Sequence, residues 1–105
     1  MAQFDVYPNP NHRTSKAFPY LVDIQSPFIA QLQSRIVIPL ARRQETDLLP
    51  LTRLTPEVSY EDEALLLFTS QIAAIPLKQL RNPVGSLRHI RDQIVASLDF
   101  AIRGV

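Results

Sequence analysis

The sequence contains no cysteine and only two glycines, Gly85 and Gly104. Without cysteine there is no disulfide, no Cys-ligated metal and no thiol nucleophile. Two isolated glycines cannot build a Gly-rich phosphate loop. The two histidines, His12 and His89, are too far apart in the chain for the tight ligand spacing of a zinc site. The formal net charge is only +1, which makes no strong electrostatic case for nonspecific DNA binding. No apolar run approaches the roughly 20 residues that span a bilayer. Met1-Ala2-Gln3-Phe4-Asp5 lacks the charged n-region and apolar h-region of a signal peptide. These absences lead to the expectation of a soluble cytoplasmic protein with no metal or cofactor.

What is present suits one domain over residues 1–105. The apolar fraction is 46%, enough for a core, and a chain of this size buries roughly 65% of its unfolded surface. Nine prolines are unusual beside two glycines. Proline is barred from central ladder positions and tolerated at strand starts, edges and bulges, so short strands in a small, strongly bent sheet are expected.

Along the chain, Gln3–Tyr7 reads as a strand broken by Pro8-Asn9-Pro10-Asn11, with a polar, basic loop to Lys16. Phe18–Gln25 alternates: Phe18, Tyr20, Val22 and Ile24 share one face, and Pro19, Leu21, Asp23 and Gln25 the other. Leu21 on the polar face hints at a second burial. Ser26-Pro27 ends the strand, and Phe28 and Ile29 follow in a turn-like segment, either as a plug under the sheet or at the surface. Arg35–Ala41 reads as a central strand bent at Pro39. Arg42–Asp47 is a charged loop, and Leu48–Leu54 is apolar around Pro50. Thr55–Tyr60 and Ala64–Thr69 form a hairpin across Glu61-Asp62-Glu63, and Ile72–Leu77 is a last short strand.

Asn82-Pro83 has the form of a helix start, with Asn as N-cap and Pro in the first turn; Ser86 is a rival cap. The helix is expected to run to Val105. Leu87, Ile90, Ile94, Leu98, Ala101 and Ile102 fall within one arc about 120° wide, the face expected to pack on the sheet. Phe100 points elsewhere and calls for a second cover. The sequence stops at a short tip, Arg103-Gly104-Val105, either idle or a contact surface. The expected fold is mostly β (α+β): a small antiparallel barrel or bent sheet with a C-terminal helix.

Signs of catalysis are weak. The three acids at the hairpin turn lack the spacing of a calcium loop. Arg13, Arg42 and Arg43 are either phosphate contacts or solvated loop charge. His12 is either a general acid–base or an ordinary loop residue. The residues favour a protein that acts through its surface, not an enzyme.

Several segments in order resemble the CcdB toxin family: Gln3-Phe4-Asp5-Val6-Tyr7, Val22-Asp23-Ile24-Gln25-Ser26, Arg35-Ile36-Val37-Ile38-Pro39-Leu40, Ala73-Ala74-Ile75-Pro76-Leu77 and the terminal helix closing on Gly104-Val105. Together they cover nearly the whole chain, and the long hairpin after Tyr7 is similar to chromosomal members. The resemblance implies an SH3-like barrel with a C-terminal helix, shared with the MazF and Kid ribonuclease toxins. It implies a homodimer, which would cover Leu21 and Phe100. It also implies a toxin that binds the A subunit of DNA gyrase and traps the enzyme on cleaved DNA. A CcdA-like antitoxin would remove it, and toxin and antitoxin together would repress their own operon, with DNA met only through that complex and plasmid maintenance as one setting. The gyrase-contact positions that the resemblance carries over are Phe28, Ile29, Asp99, Arg103, Gly104 and Val105. Asp99 stands where the plasmid toxin has Asn, and Arg103 where it has Trp. Asp99 and Arg103 would also suit an i,i+4 ion pair in the favoured order, and a last-turn cation complements the helix dipole. Two other readings stand beside this one: a MazF-like endoribonuclease using His12, Arg13 and Arg42, and a non-toxic relative that only binds an antitoxin.

Overall fold

The computed structural model describes residues 2–26, 33–43 and 53–104. Seven strands among these form one antiparallel sheet: β1 (Asp5–Pro8), β2 (Tyr20–Asp23), β3 (Ser34–Arg42), β4 (Glu57–Tyr60), β5 (Glu63–Leu67), β6 (Ala73–Pro76) and β7 (Gly85–Ser86). The order is β4-β5-β3-β2-β1-β7, and β6 also pairs with β3. One helix, α1 (Arg91–Arg103), follows. The mostly β, curled sheet with a C-terminal helix is the expected architecture.

The long strand β3 organises the sheet. One edge carries β2, from Tyr20↔Leu40 to Asp23↔Val37. The other is shared: β6 pairs with residues 34–37, and β5 with residues 40–42. Pro39 sits at the switch. Phe68 N–H donates to Pro39 O (3.0 Å), and proline has no N–H to return, so the β3–β5 ladder stops there. The chain leaves through the 3-10 turn Thr69–Gln71 and returns as β6. The β4–β5 hairpin turns on Glu61 and Asp62, at φ 49° and 63°, the left-handed pair of a type I′ turn.

Both sheet faces are covered. The main core joins Phe4, Val6, Val22, Ile38, Leu40, Val58, Tyr60, Leu65 and Leu67 to Leu87 and Ile94. A smaller cluster on the opposite face contains Tyr7, Leu21, Val37 and Leu80. Leu21 is therefore buried within its own chain, as its lone apolar position hinted, and needs no second subunit. Phe100 has an intramolecular cover too: the Arg53 guanidinium lies 4.4 Å from its ring centroid.

The helix starts later than Asn82-Pro83 suggests. Asn82 takes φ 50°, a turn conformation. Gly85 and Ser86 then pair with Val6 and Asp5 as β7, so a strand ladder takes up the backbone groups a helix would have used. Gly85 is required for packing: a Cβ there would collide with the Tyr60 ring and hydroxyl, and Tyr60 Oη donates to Val84 O (3.0 Å). Ser86 does not cap α1, which begins without a side-chain cap hydrogen bond, but holds the turn ahead of it. Its Oγ accepts from Arg88 N–H (3.1 Å) at the 3-10 turn Arg88–Ile90 that leads into α1.

Candidate functional site

The candidate residues divide between the end of α1 and the segment after β2. The helix is anchored by its first half. Ile94 is fully buried, and Ser97 Oγ, also buried, lies 2.8 Å from Thr69 Oγ1 and 3.3 Å from Leu54 O. Serine has one proton, which goes to the carbonyl, so the Thr69 hydroxyl is the donor to Ser97. This relay ties the helix to the turn after β5 and to Leu54.

Beyond Leu98, which packs against the main core, and Phe100, which lies under Arg53, the last turn of the helix leaves its cover. Asp99, Ala101, Ile102, Arg103 and Gly104 are all exposed, and Ile102 is 77% exposed. This corrects the expectation that Ala101 and Ile102 pack on the sheet. Gly104 closes the helix at φ 74°, its N–H donating to Phe100 O (2.8 Å). That is the left-handed cap that glycine adopts without a Cβ penalty. The expected Asp99–Arg103 ion pair does not form: among the described residues neither side chain is in a salt bridge. Both charges face solvent at the helix end, beside an apolar side chain.

Phe28, Ile29 and Val105 lie outside the described residues, as do most of the expected Arg42–Asp47 loop and of the apolar stretch Leu48–Leu54. The stems on either side of Phe28 and Ile29 are firmly held. Arg35 donates to Asp23 Oδ2 from Nε (2.9 Å), with its second nitrogen at 2.7 Å, and both side chains are buried. Asp23 Oδ1 accepts from Gln25 N–H (2.9 Å), and Gln25 Oε1 accepts from Ile36 N–H (3.2 Å). Ile24 N–H donates to Ile36 O (3.0 Å) and Leu77 N–H to Gln33 O (2.8 Å). A buried ion pair contributes little net stability once desolvation is counted; here it fixes the register from which the segment departs. Tyr7 shares this buried region, and its hydroxyl has no hydrogen-bond partner among the described residues. Burial pushes its phenol up, Asp5 and Asp23 add to the shift, and Arg35 opposes it.

The residues considered for catalysis fall on two clefts that share Arg13, with His12 on one and Arg42 on the other. Arg42 pairs with Glu63 (3.0 Å) and lies over the Tyr20 ring, and Arg43 pairs with Glu57 (3.4 Å). The arginines therefore brace the β4–β5 hairpin. His12 and Arg13 share a cleft with Lys78 and Arg81, with no carboxylate in its lining among the described residues. Among the described residues no three metal-ligating side chains cluster, and no helix is long and apolar enough to cross a membrane. Sequence reasoning missed Ile102 as a surface residue, because its type and phase both indicated core.

A family model described as CcdB protein matches residues 3–104. That match spans the bent sheet, the buried Asp23–Arg35 pair and the helix through its glycine cap, and the chain belongs to the CcdB family of toxin–antitoxin toxins.

Proposed function

We propose that this toxin binds the A subunit of DNA gyrase and traps the enzyme on cleaved DNA, with the C-terminal end of α1 as the contact. The observation that carries this reading is the pairing of an anchored helix with an uncovered end. Ile94 is fully buried while Ile102 is 77% exposed, flanked by the unpaired charges of Asp99 and Arg103. An apolar side chain held rigidly at a charged surface loses little conformational entropy on binding and can fill a partner pocket.

Asp99, Arg103 and Gly104 belong to this contact, with Phe28, Ile29 and Val105 as further members carried over from the family pattern. Arg103 takes the place of an aromatic residue. A guanidinium can still stack on a flat surface or pair with a carboxylate, so this chain would suit a gyrase surface of different composition. A CcdA-like antitoxin would relieve the block by competing for the toxin.

A second copy of the chain is the natural occupant of the apolar surface at the β3–β6 edge. Ile36 stands opposite Ala74 in the ladder, and Ile36 and Ile72 are 37% and 42% exposed. The homodimer rests on this surface and on the family pattern, not on Leu21 or Phe100.

The test is cleavage by the host gyrase. Supercoiled plasmid, host enzyme and toxin should give linear DNA after denaturation, and an antitoxin from the same operon should suppress it. Absence of linear product across a wide range of toxin doses would overturn the proposal.

A further inference from the structure

The cations of this chain are unevenly used. Arg35, Arg42, Arg43 and Arg91 each pair with a carboxylate, and Arg53 covers Phe100. Arg13, Lys16, Lys78 and Arg81 are exposed and make no ion pair among the described residues. They surround two open clefts that share Arg13. One, of about 780 Å³, has His12, Arg13, Lys78 and Arg81 in its lining. The other, of about 770 Å³, is lined by Arg13, Lys16, Ala17 and Arg42. Among the described residues no carboxylate lines either cleft. Five of the eleven Lys and Arg residues line these clefts, and of the five Arg42 is held by Glu63. The near-neutral total hides a local positive field.

The backbone beneath these cations is ordered by its own side chains. Asn9 Nδ2 donates to Phe18 O (2.8 Å) and Thr14 Oγ1 (3.0 Å), and its Oδ1 accepts from Asn11 N–H (2.9 Å). Asn11 Oδ1 accepts in turn from Arg13 N–H (2.9 Å). The polar, basic loop that ends at Lys16 is a nested set of turns. Across the cleft, Lys78 lies in the 3-10 turn Leu77–Gln79, pinned through Leu77 N–H to Gln33 O (2.8 Å). Arg81 follows the buried Leu80.

We propose that these clefts bind the phosphate backbone of duplex DNA directly. Clustered like charges repel one another unless a polyanion neutralises them. Among the described residues the lining has no Phe, Tyr or Trp on which the bases of a single strand could stack. It has no large apolar side chain to anchor an acidic peptide, since interface energy concentrates in such anchors. The described cations of the clefts sit in loops, a 3-10 turn and the end of β3, with none on a helix long enough to enter a groove, so the contact positions the protein on DNA without reading sequence. This surface is independent of the gyrase contact, and its test contains no gyrase.

The experiment is anisotropy titration of a labelled duplex of about 20 bp with the full chain at a series of salt concentrations, beside the triple variant Arg13→Gln/Lys78→Gln/Arg81→Gln. For three or four phosphate contacts, log K should fall against log salt with a slope of about −3. The variant should bind at least tenfold more weakly (about 1.4 kcal/mol), with a slope nearer zero and an unchanged circular dichroism spectrum. An unchanged slope and affinity in the variant would overturn the proposal. So would no binding by the parent chain at about 20 mM salt, where phosphate contacts are strongest, tighter binding of an equal-length single strand, or displacement of the duplex by polyglutamate at equal charge concentration.

Discussion

The two halves of α1 carry the same apolar periodicity and meet opposite fates. Near the start Ile94 is fully buried, as is Leu87 just ahead of the helix; at the end, Ile102 is 77% exposed. Residues four apart drift by about 40° around a helix, so Ile94, Leu98 and Ile102 turn progressively away from the sheet. Drift is only part of the cause. Ala101 points within about 20° of Ile94 by the same geometry, and it too is exposed. The turn Thr69–Gln71, tied to Ser97, supports the middle of the helix, and the last turn runs past it. Periodicity identifies which residues share a face; the length of the cover comes from distant parts of the chain. A buried half and a bare half make a rigid mount for a contact surface.

Truncating the buried half should have the largest effect on stability. Ile94→Ala removes a side chain from the centre of the main core and should destabilise the fold by roughly 3 kcal/mol, measured by urea unfolding. A loss below about 1 kcal/mol, the scale of a surface change, would mean that the helix is not anchored there.

The hydroxyl relay should come next. Ser97→Ala leaves the buried Thr69 hydroxyl without its acceptor and should cost about 1–2 kcal/mol. Adding Thr69→Val removes the orphaned group, so the double variant should be less destabilised than the sum of the two single changes. Strict additivity would show that the two hydroxyls do not act together.

Much of the fold was legible in the residues because local and global preferences agree. The alternation of Phe18–Gln25 reveals both faces of β2, and the acids at 61–63 mark the hairpin turn. The change of partner from β6 to β5 along β3 comes at Pro39, which has no N–H to donate. The helix start was misread because Asn82-Pro83 satisfies local capping rules, while the decisive interaction, Gly85 and Ser86 pairing with β1, involves residues about 80 positions away. The site follows the same division. Gly104 was visible as a helix-ending glycine, and Asp99 and Arg103 through their resemblance to family positions. Ile102 was concealed by an apolar identity in an apolar phase. The basic clefts were concealed because Arg13 and Lys78 meet only once β3 and β6 have paired.

The smallest expected change in stability tests the uncovered half most directly. Ile102 is so exposed that Ile102→Ser should alter unfolding free energy by no more than about 0.5 kcal/mol. If the helix end is the gyrase contact, the same change removes its apolar anchor, and poisoning should weaken at least tenfold, equivalent to about 1.4 kcal/mol of binding. The amount of linear DNA formed by host gyrase over a toxin titration gives this number. Arg103→Gln, which keeps length and polarity but removes charge, separates the two components of the surface. A strong effect of Ile102→Ser with little effect of Arg103→Gln would identify the contact as apolar, whereas the reverse would assign it to the guanidinium. If both variants poison gyrase as well as the parent chain, the exposed half is an idle helix end, and the contrast between the halves of α1 concerns stability alone.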